Sequence, residues 1–292
     1  MCGVIKRKTF YKSLVEIKDS YYAQEDDEEL NEISVKHLVK SLTFWRLVYT
    51  WMIRAFTIGT ILICLQFRFT KTIGLVMDWS FLPTDSIFWD EIPHFLQFTM
   101  IQITGLYIAK SDMTVIFIGL QIIADLNILD DYIKLTIEKI KTNPNYLKTI
   151  LKRHCKVIDK INLLNEAVSE LSFIQIIIST FALLVIFVFI RKDTTQITGY
   201  TTCLCAMLQF VPLCLFGEII KIKTEQLSEA FYEVNWYELK LKDQKTFLLI
   251  LGMAQRQYGL KAAGMYNVNI YAFIQIVKLA ISYCAILYTL SK

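Results

Sequence analysis

The sequence contains few of the residues from which enzymes usually build a catalytic or metal site. Its three histidines, His37, His94 and His154, lie far apart, and no His-x-x-x-His or Cys-x-x-Cys spacing suited to zinc occurs. Neither the Gly-x-x-x-x-Gly-Lys phosphate loop nor the Gly-x-Ser-x-Gly nucleophile elbow is present. Cys203 and Cys205 are two residues apart, which puts them on different faces of a helix. The sequence therefore predicts a protein that is not an enzyme, with no metal, no cofactor and no nucleic-acid partner.

Proline and glycine are also scarce, with 4 and 10 of the 292 residues. No low-complexity linker and no internal repeat interrupts the chain, so residues 1–292 are predicted to form a single transmembrane domain. The segment after Met1 is basic and then acidic, without the early apolar run of a signal peptide. Insertion into a membrane is therefore expected to depend on internal apolar segments.

Apolar residues are abundant: they make up 54% of the chain, and the mean hydropathy is +0.42. A helix needs roughly 20 mainly apolar residues to cross the hydrocarbon of a bilayer. Residues 171–190 meet this requirement without a single charged side chain. Together with four similar segments they predict an all-α fold, a polytopic membrane helical bundle, with spans at 44–65, 92–109, 171–190, 197–217 and 262–290.

Basic residues are distributed unevenly between the segments that connect these spans. Residues 1–43, 110–165 and 221–261 hold 23 lysines and arginines, whereas the alternate segments hold five. Because basic residues are retained on the cytoplasmic side, the amino terminus is predicted to be cytoplasmic.

The predicted cytoplasmic segments have the pattern of helices. Residues 122–141 repeat apolar positions at helical spacing beside a charged face. Asn143 and Pro144 break this pattern, and a second helix is predicted from Tyr146 directly into the span at 171. Long cytoplasmic helical extensions are therefore part of the predicted fold.

Lys278 lies about midway along the last predicted span. A charge at that depth costs roughly 2.5 to 3.5 kcal/mol unless it faces water or a partner. Lys278 either faces a hydrated pore or a subunit contact, or it extends its ammonium group to the interface from a shifted or tilted helix.

The carboxyl-terminal third carries a family resemblance. Residues 226–237 read QLSEAFYEVNWY, a Lys/Arg-bearing segment and the last apolar segment follow, and Asp112 and His154 precede them in the expected order. This arrangement resembles the insect odorant receptors. Gustatory receptors, which share the fold and a related tail, are the close alternative. The resemblance implies a subunit of an odour-gated, non-selective cation channel in the plasma membrane of olfactory neurons. It also implies an obligate odorant co-receptor as partner and small volatile hydrophobic molecules as ligands.

The resemblance implies site residues as well. The last helix would line the pore, with Ile286 as the hydrophobic gate and Leu290 beyond it; packing or lipid contact is the alternative for both residues. Lys278, on the argument above, is the third predicted pore residue. Ligands would bind among apolar and aromatic side chains in the outer half of the bundle, where shape and dispersion dominate. The predicted contacts, each of which could instead pack in the core, are Phe56, Thr60, Phe95, Phe98, Gln102, Tyr200 and Met207.

The family has seven membrane helices, whereas five are predicted here. Residues 1–43 resemble the connection between the second and third helices, so the sequence is expected to lack the first two. A carrier or a non-signalling membrane protein, including an inactive receptor fragment, is the alternative from another class. The absence of paired carboxylates within the spans and of repeat symmetry argues against a carrier.

Overall fold

The computed structural model describes residues 2–22, 28–69, 87–137, 144–192, 197–256 and 258–290, and these are mostly helical. The α-helices in those ranges are α1 (Cys2–Tyr22), α2 (Glu28–Phe69), α3 (Ile87–Thr136), α4 (Pro144–Lys192), α5 (Ile197–Tyr232), α6 (Leu241–Ala254) and α7 (Ile270–Leu290). A 3-10 helix η1 (Trp236–Glu238) precedes α6, and a hairpin of β1 (Lys261–Ala262) and β2 (Tyr266–Asn267) precedes α7.

Sequence features at the helix starts fit these bounds. Glu28 and Glu29 lie in the first turn of α2, where a carboxylate interacts favourably with the positive end of the helix dipole. Pro144 is the first residue of α4, a position at which the missing N–H costs nothing. From there α4 runs without a break through the predicted span at 171–190, which confirms the predicted continuity.

Several helices have the length and composition of membrane spans. Within the described residues, three segments are long and apolar enough to cross a membrane: Glu28–Leu65, Ile92–Leu135 and Tyr146–Val188. They contain the predicted spans at 44–65 and 92–109, and residues 171–188 of the predicted span at 171–190. The predicted span at 197–217 lies within α5, and Ile270–Tyr283 of α7 is a shorter apolar segment.

The chain forms two compact units, each assembled from separate stretches. Unit 1 contains Met1–Trp45, Val115–Ile176 and Val211–Ile274; unit 2 contains Arg46–Thr114, Ile177–Phe210 and Gln275–Lys292. Each transition from one unit to the other along the chain falls inside a helix rather than in a loop.

Unit 1 has an apolar core between helices that carry many charges. Leu30 and Leu38 of α2 pack with Ala124, Ile128 and Tyr132 of α3 in one cluster. These α3 residues belong to the amphipathic pattern at 122–141, of which α3 includes residues 122–136; residues 138–143 lie outside the described part of the chain. The apolar positions at helical spacing are thus buried, as the pattern predicts.

Unit 2 has large apolar side chains on its outside. Examples at half exposure or more come from every helix that contributes to it: Trp51, Ile58, Ile103, Tyr107, Phe181, Val185, Leu204 and Ile281. An apolar exterior of this kind is unfavourable in water and favourable in an apolar medium. Unit 2 is therefore suited to the hydrocarbon of a bilayer.

The last helix begins eight residues later than the sequence predicts. Residues 261–267 form the hairpin, with Lys261 opposite Asn267, and α7 starts only at Ile270. Ala263 and Gly264 have φ of 50° and 72°, the positive values that a type I′ hairpin turn requires. Asn269 then caps α7, because its Oδ1 accepts a 2.9 Å hydrogen bond from the N–H of Ala272. The prediction of helix over residues 262–269 is therefore wrong. A membrane span over 270–290 stays a prediction.

Candidate functional site

Three predicted ligand contacts lie together between α2 and α3 in unit 2. The hydroxyl oxygen of Thr60 is 3.0 Å from Gln102 Oε1. It is also 2.9 Å from the carbonyl oxygen of Phe56 and 3.0 Å from that of Thr57, one turn earlier in the same helix. A hydroxyl carries one hydrogen, so Thr60 donates to one of these oxygens at a time. The contact joins the side chain of Gln102 to the helix turn that contains Phe56.

The amide nitrogen of Gln102 is buried and has no hydrogen-bond partner among the described residues. A buried donor without an acceptor costs about 1 to 3 kcal/mol. If the amide turned by 180°, Nε2 could donate to Thr60, but Oε1 would then take the position without a partner. In both orientations one polar atom of Gln102 can bond to something other than the described side chains.

Close helix packing fixes this contact. A Cβ atom at Gly105 of α3 would lie 3.1 Å from the methyl group of Thr60, which is closer than most such contacts. Small residues at helix interfaces in membranes let the backbones approach in this way. Phe56 is itself buried. Gly105 therefore helps to bring Thr60 within reach of Gln102.

The other four predicted ligand contacts have different surroundings. Phe98 and Phe95 lie on α3, one and two turns before Gln102, and are 38% and 67% exposed. Tyr200 on α5 is 50% exposed, and Met207, two turns further along, is half-buried. The structure brings Thr60 and Gln102 into contact beside the helix turn of Phe56, and contact of any of the seven residues with a ligand stays a prediction.

The predicted pore residues lie on α7. Ala272, Ile276 and Ala280 recur every fourth residue and are buried. Lys278 follows Ile276 by two residues, which is about 200° around the helix, and it is exposed. Ile286 is also exposed, and the side chain of Leu290 lies outside the described part. The exposed face of α7 is thus the one that carries Lys278, so both readings of this lysine stay open.

A polar network in unit 1 was not predicted from the sequence. Tyr132 Oη donates to the carbonyl of Leu30 over 2.8 Å, and His37 Nε2 lies 2.7 Å from Asp131 Oδ2. Lys160 pairs with Asp125 at 2.5 Å in a mostly buried position. Periodicity indicates which helix face is buried, but it does not reveal which polar residues on two helices will meet.

His154, which was noted in the sequence, is a core residue of unit 1. Its ring meets Phe231 edge-on, with ring centroids 5.4 Å apart, and its Nδ1 is buried without a partner among the described residues. Burial lowers the pKa of His154 to about 4, so the ring is neutral at pH 7. No group of three or more metal-binding side chains occurs near it or elsewhere in the described ranges.

A groove of about 790 Å³ lies in unit 1, and none of the predicted ligand contacts lines it. Four acidic and four basic side chains line it, among them Glu16, Asp19, Lys152 and Lys156. A pocket for a small hydrophobic molecule is usually lined mainly by apolar side chains. On chemical grounds we therefore place the candidate ligand site at Thr60 and Gln102 rather than in this groove.

Comparisons with known proteins give a consistent picture. A family model described as 7tm Odorant receptor matches residues 1–281. Odorant receptor 33b of Drosophila melanogaster is 27% identical over 137 residues, 46% of this chain and 36% of that protein. Odorant receptor 33c of the same insect is 26% identical over 151 residues, 49% of this chain and 39% of that protein. The chain thus spans less than half the length of these two relatives.

Among solved structures, the olfactory receptor OR5 of Machilis hrabei in complex with eugenol has a similar fold. The TM-score is 0.73 and the identity 14%, over 98% of this chain and 80% of that one. At this identity the similarity shows the fold, which is an all-α helical membrane bundle.

Proposed function

The chain belongs to the 7tm odorant receptor family, and from this membership we propose that it is a subunit of an odour-gated, non-selective cation channel. Its partner in this proposal is an odorant co-receptor, and it is located in the plasma membrane. The apolar exterior of unit 2 and the long apolar helices support a membrane-embedded receptor. The charge distribution supports an amino terminus in the cytoplasm, since residues 1–43 and the two segments predicted on the same side hold 23 basic residues, whereas the alternate segments hold five.

The ligand in this proposal is a small volatile hydrophobic molecule that binds beside the Thr60–Gln102 contact. The observation that carries this site is the buried amide of Gln102, of which one polar atom has no described partner. A ligand with a carbonyl or hydroxyl oxygen could accept from Nε2, while its apolar part contacts neighbouring side chains. One such hydrogen bond would give selectivity for an oxygenated ligand over a hydrocarbon of the same shape.

The pore in this proposal is lined by α7. Ile286 forms the hydrophobic gate with Leu290 beyond it, and Lys278, about two turns earlier, is also exposed. An apolar constriction blocks ions when it loses its water, so the gate needs no charged group. A lysine within the constriction itself would repel cations. Lys278 is therefore placed below the constriction or at a subunit contact.

The function is tested by expressing the chain with an odorant co-receptor in cells that respond to no odour themselves. We expect an odour-evoked cation current that needs both proteins and carries sodium and potassium alike. An amino-terminal epitope should be stained only after permeabilisation. Solute uptake without odour or current would contradict the channel and favour a carrier.

The ligand site is tested by Gln102→Leu, which keeps the approximate shape of the side chain and removes the amide. We expect the half-maximal concentration of an oxygenated agonist to rise about five- to tenfold, the value of one hydrogen bond of about 1 kcal/mol. A hydrocarbon agonist of similar shape should be unaffected. Thr99→Val is the matched control, because the Thr99 hydroxyl bonds to the Leu96 carbonyl of its own helix. Equal shifts for both ligands would contradict the assignment.

A further inference from the structure

The segment that joins α6 to α7 is held by side chains of α4. This segment, residues 258–269, we name the α6–α7 linker. The amide of Asn165 bonds to its backbone twice: Nδ2 donates to the carbonyl of Gly259, and Oδ1 accepts from the N–H of Lys261, both at 2.9 Å. Asn165 therefore acts on the linker as a neighbouring β-strand would, with one donor and one acceptor.

Ser169 adds a second pair of bonds one turn further along α4. Its hydroxyl accepts from the N–H of Gly264 at 2.9 Å, and its carbonyl accepts from the N–H of Ala263 at 3.1 Å. These two N–H groups belong to the positive-φ turn of the hairpin. Ser169 thus holds the tip of the hairpin, whereas Asn165 holds its first strand.

The opposite side of the linker lies against α5. The hydroxyl of Thr224, which is buried, lies 3.1 Å from the carbonyl oxygen of Tyr258. Near the other end of the linker, a Cβ atom at Gly217 would lie only 1.8 Å from the carbonyl oxygen of Val268. The linker backbone therefore has little room to move between α4 and α5.

The linker leads directly into α7 at the cap residue Asn269. Both α4 and α5 continue beyond the linker into the predicted spans at 171–190 and 197–217. We propose that Asn165 and Ser169 are positioning residues of the channel: by holding the linker they set the position of the first turns of α7, and thereby the balance between its closed and open states. This inference rests on the proposed function, because it assigns a role to α7 in gating.

The first experiment tests whether Asn165 and Ser169 hold the linker, and it does not depend on a measurement of channel current. Hydrogen exchange of the purified full chain is followed in a peptide covering residues 258–272, for wild type, Asn165→Ala and Ser169→Ala. We expect exchange of the Lys261 amide in Asn165→Ala, and of the Gly264 amide in Ser169→Ala, to become about tenfold faster. Exchange in the first turn of α7 should rise in both variants.

Asn162→Ala is the matched control for this experiment. Asn162 lies on α4 three residues before Asn165, lines with Asn165 and Ser169 a second groove of unit 1, and is exposed. Its replacement should leave exchange of the linker unchanged. Exchange in Asn165→Ala and Ser169→Ala that matches the Asn162→Ala control would overturn the inference.

The second experiment measures gating in cells that also express the co-receptor. Asn165→Ala and Ser169→Ala should shift the half-maximal odour concentration or the fraction of current without odour about fivefold, at equal surface density, whereas Asn162→Ala should not. Ser169→Thr retains the hydroxyl and should restore the wild-type values. A lower surface density with unchanged dose response would mean that the pair only supports folding, and would overturn the gating role. If wild type gives no current at all, the proposed function fails, and the exchange measurement alone decides whether the pair positions α7.

Discussion

Replacing Gly217 by alanine should destabilise the protein, although alanine is normally the better helix residue. Gly217 lies inside α5, where the exchange to alanine would by itself gain about 1 kcal/mol. The added Cβ, however, would lie 1.8 Å from the carbonyl oxygen of Val268 and 2.9 Å from its carbonyl carbon. Both neighbours are backbone atoms, so no side-chain rotation can relieve the overlap.

The size of the effect follows from what must move. To reach even a tight contact of 3.0 Å, Val268 and Gly217 must separate by about 1.2 Å, which is the difference from 1.8 Å. The hydrogen bond from the Val268 N–H to the Leu260 carbonyl, now 2.9 Å, and the bonds from Asn165 hold the linker against that movement. Loss of two or three such bonds costs about 3 kcal/mol. The net loss is therefore about 2 kcal/mol after the helix gain is subtracted.

Thermal unfolding of the purified chain in detergent measures this loss. A change of about 2 kcal/mol should lower the midpoint by roughly 4 to 8 °C for a chain of this size. Gly252→Ala is the matched control: Gly252 lies inside α6, is exposed, and a Cβ there would meet nothing within 4 Å. That variant should unfold about 2 °C higher than wild type, since only the helix gain remains.

The reasoning would be refuted by Gly217→Ala unfolding at or above the wild-type temperature. Such a result would mean that α5 and the linker separate at little cost, and that the backbone approach at Val268 does not hold the linker in place. If Gly217→Ala gives too little folded protein to purify, the unfolding midpoint is measured in membranes. There, too, Gly252→Ala should raise the midpoint and Gly217→Ala should lower it.

Two further predictions concern unit 1, and both use the same thermal assay. Because burial lowers the pKa of His154 to about 4, the unfolded chain, with a histidine pKa near 6.5, takes up a proton first as the pH falls. The contribution of His154 to stability should then be constant above pH 6.5 and decrease by up to about 1.4 kcal/mol per pH unit between about 6.5 and 4. The His154→Leu variant should lack that slope, and an equal slope in both proteins would assign the pH dependence to other groups. Separately, Lys160→Met leaves the mostly buried carboxylate of Asp125 without its 2.5 Å partner and should cost about 3 kcal/mol, whereas adding Asp125→Leu should recover most of it. Additive losses in the double variant would show that the two side chains do not depend on each other.

Much of the helical architecture could be predicted from the sequence, because long uncharged runs and a 3.6-residue period both have simple physical causes. The run at 171–190 and the pattern at 122–136 each lie in a helix as expected. The hairpin before α7 was missed, since valine, tyrosine and alanine give the same hydropathy in a strand as in a helix. Gly264 and Asn269 were the local signals, as a positive-φ turn and a helix cap favour those residues.

The candidate ligand site could be predicted only in part. Thr60 and Gln102 were predicted from the family resemblance as residues in the outer halves of two spans, and the structure places them in contact. Phe95 and Phe98 come from a helix that is apolar on nearly all sides, so the sequence does not distinguish a face toward the protein from a face toward lipid. The linker contacts of Asn165 and Ser169 depend on which helices are neighbours in space, which a single sequence does not encode locally.

The transitions between unit 1 and unit 2 lie inside α2, α3, α4, α5 and α7. Their position limits the insertions and deletions that the protein can tolerate. Inserting one codon at such a point turns every later residue of that helix by about 100° and moves it along by 1.5 Å. The buried and exposed faces on one side of the insertion would then no longer match those on the other. Insertions of seven residues, close to two full turns, would come nearest to being tolerated. Length differences among related receptors should therefore be rare at these five points and concentrate in the segments between helices.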